Sequence, residues 1–207
     1  MLKVGLTGGV ACGKTTIANM FENLGAHVAL ADVIAHSLFE PDSEVYEKVV
    51  EAFGQEILND DRTISRPKLA NAAFPKRIKE LNAIIHPVVI RLQDEWMAEI
   101  ERRQPNAIVI VEAALMIEAG AHKRFDKLIV VTCDPHQKVE RLASRAHLSP
   151  EQAKADVERR MQAQLPEEDK VRLADYIIDN SGTVDKVDVQ VRRIWHELLA
   201  IEGGRRK

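Results

Sequence analysis

The chain has 207 residues, 45% of them hydrophobic and 29% charged, with 29 Lys and Arg against 32 Asp and Glu for a formal net charge of −3. That length suggests one or two domains and buries about 70% of the unfolded surface, so no disulfide or metal staple is needed. The composition excludes disordered, collagen-like and disulfide-scaffold classes; the weak acidity excludes a strongly basic nucleic-acid footprint, and 4% aromatics argue against a base-stacking platform.

The chain enters an apolar run at once, without the segments of a secretory signal. No apolar stretch reaches about 18 residues, so no membrane span is predicted and the expected compartment is the cytoplasm. A strand is predicted over 2–7, a helix over 13–24 ended by Gly25, and a second strand over 28–31 stopped by Asp32. Residues 38–102 carry no strand pattern and read as a helical insertion. Within it Ile85, Val89, Leu92, Trp96 and Ile100 share one helical face. His86-Pro87 opens a helix there, because proline suits a first turn. The β-branched run 107–111 is expected to be a central strand buried on both faces, and 127–133 repeats its signature.

Residues 141–173 are charge-rich and punctuated by Pro150 and Pro166. They read either as a mobile helical flap or as a solvated helix pair. A fifth strand over 176–178 runs into the turn chemistry of Asp179-Asn180-Ser181-Gly182. Val184, Val187, Val191, Ile194 and Leu198 line a last helix, and the tail from Gly203 is expected to fray. Strands alternating with helices predict an α/β fold with a doubly wound parallel sheet and a ligand site at the C-terminal edge of its strands. Cys12 and Cys133 lie far apart in no metal-ligand spacing and read as free thiols in a reducing compartment.

Gly8-Gly9-Val10-Ala11-Cys12-Gly13-Lys14-Thr15 matches G-x-x-x-x-G-K-[ST] in full, between a predicted strand and a predicted helix. Glycines let backbone amides converge on phosphate oxygens, and the helix N-terminus adds positive potential. In this P-loop Lys14 is expected to reach the β/γ-phosphates and the Thr15 hydroxyl to ligate Mg²⁺. Asp32, at the end of the second strand, is either a general base or a helix N-cap, or both. Glu112, at the end of the third, is either a Mg²⁺ carboxylate or a charge reaching solvent. Arg141 and Arg145, four apart on one helix face, suit phosphate oxygens but also suit solvent. His86 alone carries no chemical argument beyond a structural role.

These residues resemble the dephospho-CoA kinase family along nearly the whole chain. Gly5-Leu6-Thr7-Gly8-Gly9 with Gly13-Lys14-Thr15-Thr16 is similar to its opening, and Ala31-Asp32-Val33-Ile34-Ala35-His36 to its second-strand acid motif. Phe53-Gly54, Arg66-Pro67-Lys68-Leu69, Ile85-His86-Pro87, the Gln137, Arg141, Arg145 helix and Ala174-Asp175-Tyr176-Ile177-Ile178-Asp179-Asn180 resemble its further landmarks in order. Ala114-Leu115-Met116-Ile117-Glu118 stands where the family usually shows Pro-Leu-Leu-Phe-Glu, so the local turn departs from the pattern; Cys12 stands where serine is common. A thiol near a helix N-terminus is expected to be acidified, oxidation-sensitive and shielded by nucleotide.

The resemblance implies a three-layer nucleotide-kinase-like domain with a five-stranded parallel sheet. Its core would be residues 1–37, 103–140 and 174–202, its helical CoA-binding region 38–102 and its lid 141–173. It implies transfer of the ATP γ-phosphoryl to the ribose 3′-hydroxyl of dephospho-CoA with Mg²⁺. Asp32, Lys14 and Arg141 would be catalytic. Gly8, Gly9, Val10, Ala11, Cys12, Gly13, Lys14, Thr15, Thr16 and Arg145 would hold ATP. Thr7, Asp32, His86, Leu115 and Glu118 would hold the acceptor, and Thr15 and Glu112 the metal. No nucleic-acid or membrane partner is expected, and the chain would act as a monomer or weak homo-oligomer. Two rivals remain: a kinase for another small acceptor such as a nucleoside, and a nucleotide-binding regulator without turnover. A GTP switch is disfavoured, because Asp179-x-x-Gly182 lies too late and no Asn-Lys-x-Asp motif occurs.

Overall fold

The computed structural model describes residues 1–41 and 43–205. The chain divides into two compact units, residues 1–30 with 99–207 and residues 31–98. The first unit is built on β1 (Leu2–Gly8), β2 (His27–Leu30), β3 (Ile108–Glu112), β4 (Lys127–Thr132) and β5 (Tyr176–Asp179). All five are parallel, in the order β2-β3-β1-β4-β5. The predicted strands are all present, with ends displaced by a residue or two. Leu6 and Leu30 both register with Glu112, so β1, β2 and β3 end at one edge of the sheet.

One face of the sheet presents Leu2, Val4, Leu6, Ile108, Ile110, Ile129 and Val131 to α1 (Lys14–Asn23) and α9 (Val184–Gly204). Ile17, Ala18 and Phe21 of α1 and Val187, Val191, Ile194, Trp195 and Leu198 of α9 complete that core. Every residue of β3 is buried, as a central parallel strand demands. The rest of this unit is α6 (Pro135–Ala146), α7 (Pro150–Met161) and α8 (Glu167–Leu173), the last packed on β4. Asp134 caps α6 by accepting from the His136 amide, and Ser149 with Gln152 forms a reciprocal capping box on α7. The tail does not fray at Gly203: α9 continues to Gly204, and Arg205 pairs with Asp126 at 2.8 Å, which anchors that end. Arg206 and Lys207 lie outside the described residues.

The second unit is helical. It holds α2 (Ala31–Ser37), α3 (Glu44–Phe53), α4 (Arg66–Ala73) and α5 (Ile78–Arg103), whose residues from Glu99 count with the first unit. Val45, Val49 and Phe53 of α3 pack with Leu69, Ala73, Leu81, Ile85, Val88 and Val89. One expectation is corrected here. The helix does not open at His86-Pro87: α5 begins at Ile78 and carries Pro87 in its interior. Proline lacks an N–H and leaves the carbonyl of Ala83 without its helical donor. Both residues face solvent, which allows water to take that place. The buried stripe of α5 is Leu81, Ile85, Val88, Val89, Gln93 and Met97, with Leu92, Trp96 and Ile100 only partly buried. Leu81, Ile85, Val89, Gln93 and Met97 step by four, about 40° past a full turn each time, so the buried stripe slants across the helix, and Leu92, Trp96 and Ile100 share its face while staying partly buried.

Ile194 is fully buried in α9, whereas Val184 at the start of the same helix is 69% exposed. Ile194→Ala is expected to cost about 2–5 kcal/mol of unfolding free energy in urea titration. Val184→Ala is expected to cost about 0.5 kcal/mol or less in the same measurement.

Candidate active site

The loop between β1 and α1 is built from backbone conformations that its sequence permits. Gly8 has φ +151°, and a Cβ there would lie 2.2 Å from the Val131 carbonyl oxygen. Gly13 has φ +83° at the N-cap of α1, and a Cβ there would meet the Asn180 side chain at 2.3 Å. Only glycine fits either position. Ala11 also takes a left-handed conformation, φ 57°. Cys12 N donates to Gly9 O at 3.4 Å, Lys14 Nζ donates to the same oxygen at 3.1 Å, and Ile17 N donates to Gly13 O at 3.1 Å. Val10 is buried with Leu142 of α6 and Val157 of α7, so the loop's apolar side chain is held by the flanking helices. Thr16 is exposed on the first turn of α1.

Two polar arrangements converge on this loop. Thr15 Oγ1 donates to Glu112 Oε2 at 3.3 Å, joining the start of α1 to the end of β3. Both are hard oxygen donors of the kind Mg²⁺ takes. Among the described residues no cluster of three or more His, Cys, Asp or Glu could hold a metal. The second arrangement runs through Asn180, just past β5. Its Nδ2 donates to Cys12 O at 2.8 Å, and its own carbonyl accepts from Arg141 Nη2 at 2.8 Å. Arg141 Nη1 lies 3.9 Å from the Cβ position of Gly13 and is buried without a hydrogen-bond partner. A guanidinium donor that is dry, unsatisfied and beside a phosphate loop matches an anion. Arg145 is exposed one turn further along α6.

The turn after β3 places the remaining residues of the first unit. Thr7 is buried and its Oγ1 donates to Ala114 O at 3.4 Å. Leu115 is partly buried in that turn, and its carbonyl accepts from Ala119 N at 2.9 Å. Glu118 Oε1 accepts from Leu165 N at 2.9 Å and pairs with Lys170 Nζ at 2.9 Å, while its Oε2 is buried without a hydrogen-bond partner. Asp32 and His86 belong to the helical unit. Asp32 is exposed in the first turn of α2. It is not the N-cap, because the helix already starts at Ala31; a carboxylate one position in still complements the helix dipole. His86 is half-buried in α5, and burial pulls its pKa down.

Three features had no signal in the sequence. The Asn180 clamp joins positions 168 residues apart. Lys138 is 4% exposed and pairs with Glu167 at 2.7 Å, both 3.5 Å from the Cβ position of Gly9. Cys12 and Cys133, both buried free thiols, face each other with 3.4 Å between their sulphurs.

A family model described as dephospho-CoA kinase matches residues 2–186. A dephospho-CoA kinase of Syntrophus aciditrophicus is 37% identical over 209 residues, covering 100% of this chain and 87% of the relative. One of Aquifex aeolicus is 39% identical over 204 residues, covering 96% and 98%. Among solved structures, dephospho-CoA kinase from Campylobacter jejuni superposes with a TM-score of 0.67 at 27% identity, covering 98% of each chain.

The Glu118–Lys170 pair is desolvated, with the Lys170 side chain 1% exposed. Lys170→Met leaves a carboxylate without its cation and is expected to cost about 3–5 kcal/mol in urea unfolding. Adding Glu118→Leu is expected to restore most of that loss, because the apolar pair needs no compensation.

Proposed function

The chain belongs to the dephospho-CoA kinase family, and from that premise we propose how its own residues carry the ATP-dependent phosphorylation of dephospho-CoA to coenzyme A. The acceptor is the ribose 3′-hydroxyl. The amides of Gly9, Val10, Ala11, Gly13 and Lys14 cradle the nucleotide phosphates, joined on nucleotide binding by the Cys12 amide that otherwise spans 3.4 Å to Gly9 O, with Gly8 giving the loop its exit from β1. Lys14 neutralises the β/γ-phosphates, while Thr16 and Arg145 lie on the ATP side. Thr15 and Glu112 hold Mg²⁺, which supplies charge neutralisation and orientation of the phosphates when bound.

The observation that carries the reading is Arg141. Its Nη2 is fixed on Asn180 O, and its buried Nη1 has no partner beside Gly13. A guanidinium held in this way needs no reorganisation when charge develops on a transferred phosphoryl group. Asp32 follows β2 by two residues, and β2 ends at the sheet edge from which the loop emerges. We assign it the acceptor proton. A lowered imidazole pKa keeps His86 neutral, suited to hydrogen bonding on the acceptor side with Thr7, Leu115 and Glu118. Residues 38–102 take the CoA portion of the acceptor. Residues 141–173 form the lid that excludes water from the phosphates. The enzyme works in the cytoplasm as a monomer or weak homo-oligomer; among the described residues no helix is long and apolar enough to cross a membrane.

ADP release, coupled to a reporter reaction, tests the acceptor. Turnover is expected with dephospho-CoA and not with a panel of nucleosides and nucleoside monophosphates; turnover confined to that panel would assign the chain to another acceptor. Asp32→Asn is expected to lower kcat by about 10²–10⁴ with ATP binding kept. Near-normal turnover in that variant would remove Asp32 from the chemistry. Arg141→Ala is expected to lower kcat by about 10²–10³ while changing KM for dephospho-CoA much less. The reverse split would make Arg141 an acceptor anchor.

A further inference from the structure

We propose that Cys12 and Cys133 form a dithiol that a hydroperoxide oxidises to a disulfide, and that this bond disables the phosphate loop. Three observations support it. The Cys133 thiol donates to the Cys12 sulphur across 3.4 Å, so the two groups already face each other. The Cys12 sulphur lies just under the loop backbone: the Cβ that Gly9 lacks would be 3.1 Å from it. Gly9 is in turn part of the wall of a cavity of about 500 Å³ that it shares with Lys138, Leu165 and Glu167. Cys12 itself is fully buried, and Gly9 is the residue through which its sulphur neighbours that cavity.

The electrostatics favour Cys12 as the attacking group. The hydrogen bond from Cys133 pulls its pKa down to about 7 against the opposing effect of burial, helped by the Lys138 ammonium and opposed by the Glu167 carboxylate. The Cys133 thiol, donating to Cys12 and buried, is pushed up and stays protonated. The Cys12 thiolate attacks one peroxide oxygen, the O–O bond breaks, and hydroxide leaves a sulfenic acid on Cys12. The Cys133 sulphur then attacks the Cys12 sulphur while losing its proton. The S–O bond breaks, and the departing oxygen leaves as water. Two thiols have lost two electrons and two protons, and one hydrogen peroxide has become two waters.

A disulfide holds its sulphurs about 2.05 Å apart, so closing the 3.4 Å gap draws the two sulphurs together by more than an ångström. Cys133 follows directly on β4, which is hydrogen-bonded on both sides in the sheet. On this proposal the loop takes up the backbone movement that the bond requires, against the tether from Asn180 to its Cys12 carbonyl. The amides that cradle phosphate leave their positions. This loss of nucleotide binding rests on the kinase reading above; formation of the bond does not.

The test uses the full chain, reduced and then exposed to about stoichiometric hydrogen peroxide. A mass loss of about 2 Da, disappearance of both titratable thiols and recovery of a Cys12–Cys133 cross-linked peptide are expected, all reversed by dithiothreitol. Affinity for a fluorescent ATP analogue is expected to fall at least tenfold (about 1.4 kcal/mol) and to return on reduction. C133A, with C133S as a second variant, is expected to bind the analogue normally and to form no cross-link. Retention of both thiols in the treated protein, or a gain of about 16 Da per thiol without a cross-link, overturns the proposal. A cross-link with unchanged analogue affinity overturns its effect on the loop. A reduced protein that binds no ATP analogue at all would instead overturn the kinase reading, and the mass and cross-link would still decide the dithiol.

Discussion

A loop that turns its amides towards an anion must turn its carbonyls away from it, and every buried carbonyl needs a donor. The site described above answers that requirement. Gly9 O takes the Lys14 ammonium and the Cys12 amide, Gly13 O takes Ile17 N, and Cys12 O takes the Asn180 side chain. Asn180 is the demanding member of the set. Its amide can reach Cys12 only because β5 ends at the same edge of the sheet as β1, and its backbone N–H is held by Thr132 O at the end of β4. Its own carbonyl then fixes Arg141. The anion-binding geometry thus depends on the last strand of the sheet, nearly the full chain length away from the loop.

Around this centre, α8 docks through charges of both signs. It offers the Glu167 carboxylate to Lys138 of α6 and the Lys170 ammonium to Glu118 in the turn after β3. Each lysine is at least 95% buried, so neither tolerates a partner of the wrong sign. Burying such pairs adds little net stability compared with apolar packing. What they supply is matching of sign, since the acid and the base three residues apart on α8 each meet a partner of opposite charge. The Glu167 carboxylate lies against Gly9 and so places the start of α8 on the loop's flank.

Most of the framework is legible in the sequence because it rests on local pattern. The runs at 107–111 and 127–133 are rich in β-branched residues and have one reasonable reading, and Val187, Val191, Ile194 and Leu198 keep helical spacing and are all buried in α9. The glycine–lysine loop is legible because its backbone chemistry demands those residues in that order. What escaped was set by non-local geometry. Pro87 reads locally as a helix start, yet the strongly packed turns on either side carry the helix through it. Leu92 and Trp96 lie on the face of α5 that the sequence marks, yet they are only partly buried, because how far a face is covered is set by what packs on it. Cys12 and Cys133 are 121 residues apart, and Asn180 reads simply as a turn residue. No spacing rule reports contacts that the sheet order creates.

The strand order has a further consequence, for how the molecule is made. β1 leaves the ribosome first, but its neighbours in the sheet are β3 and β4, and β2 pairs only with β3. Neither early strand has a partner until residues 108–112 have been synthesised. Through that interval the nascent chain carries two unpaired apolar strands while the whole of the 31–98 unit is already complete. Non-local parallel pairing is slow because loop closure must precede it, and open strand edges are the ones that misassemble. The order of synthesis thus leaves β1 and β2 waiting for β3, although the finished core shows no trace of the delay.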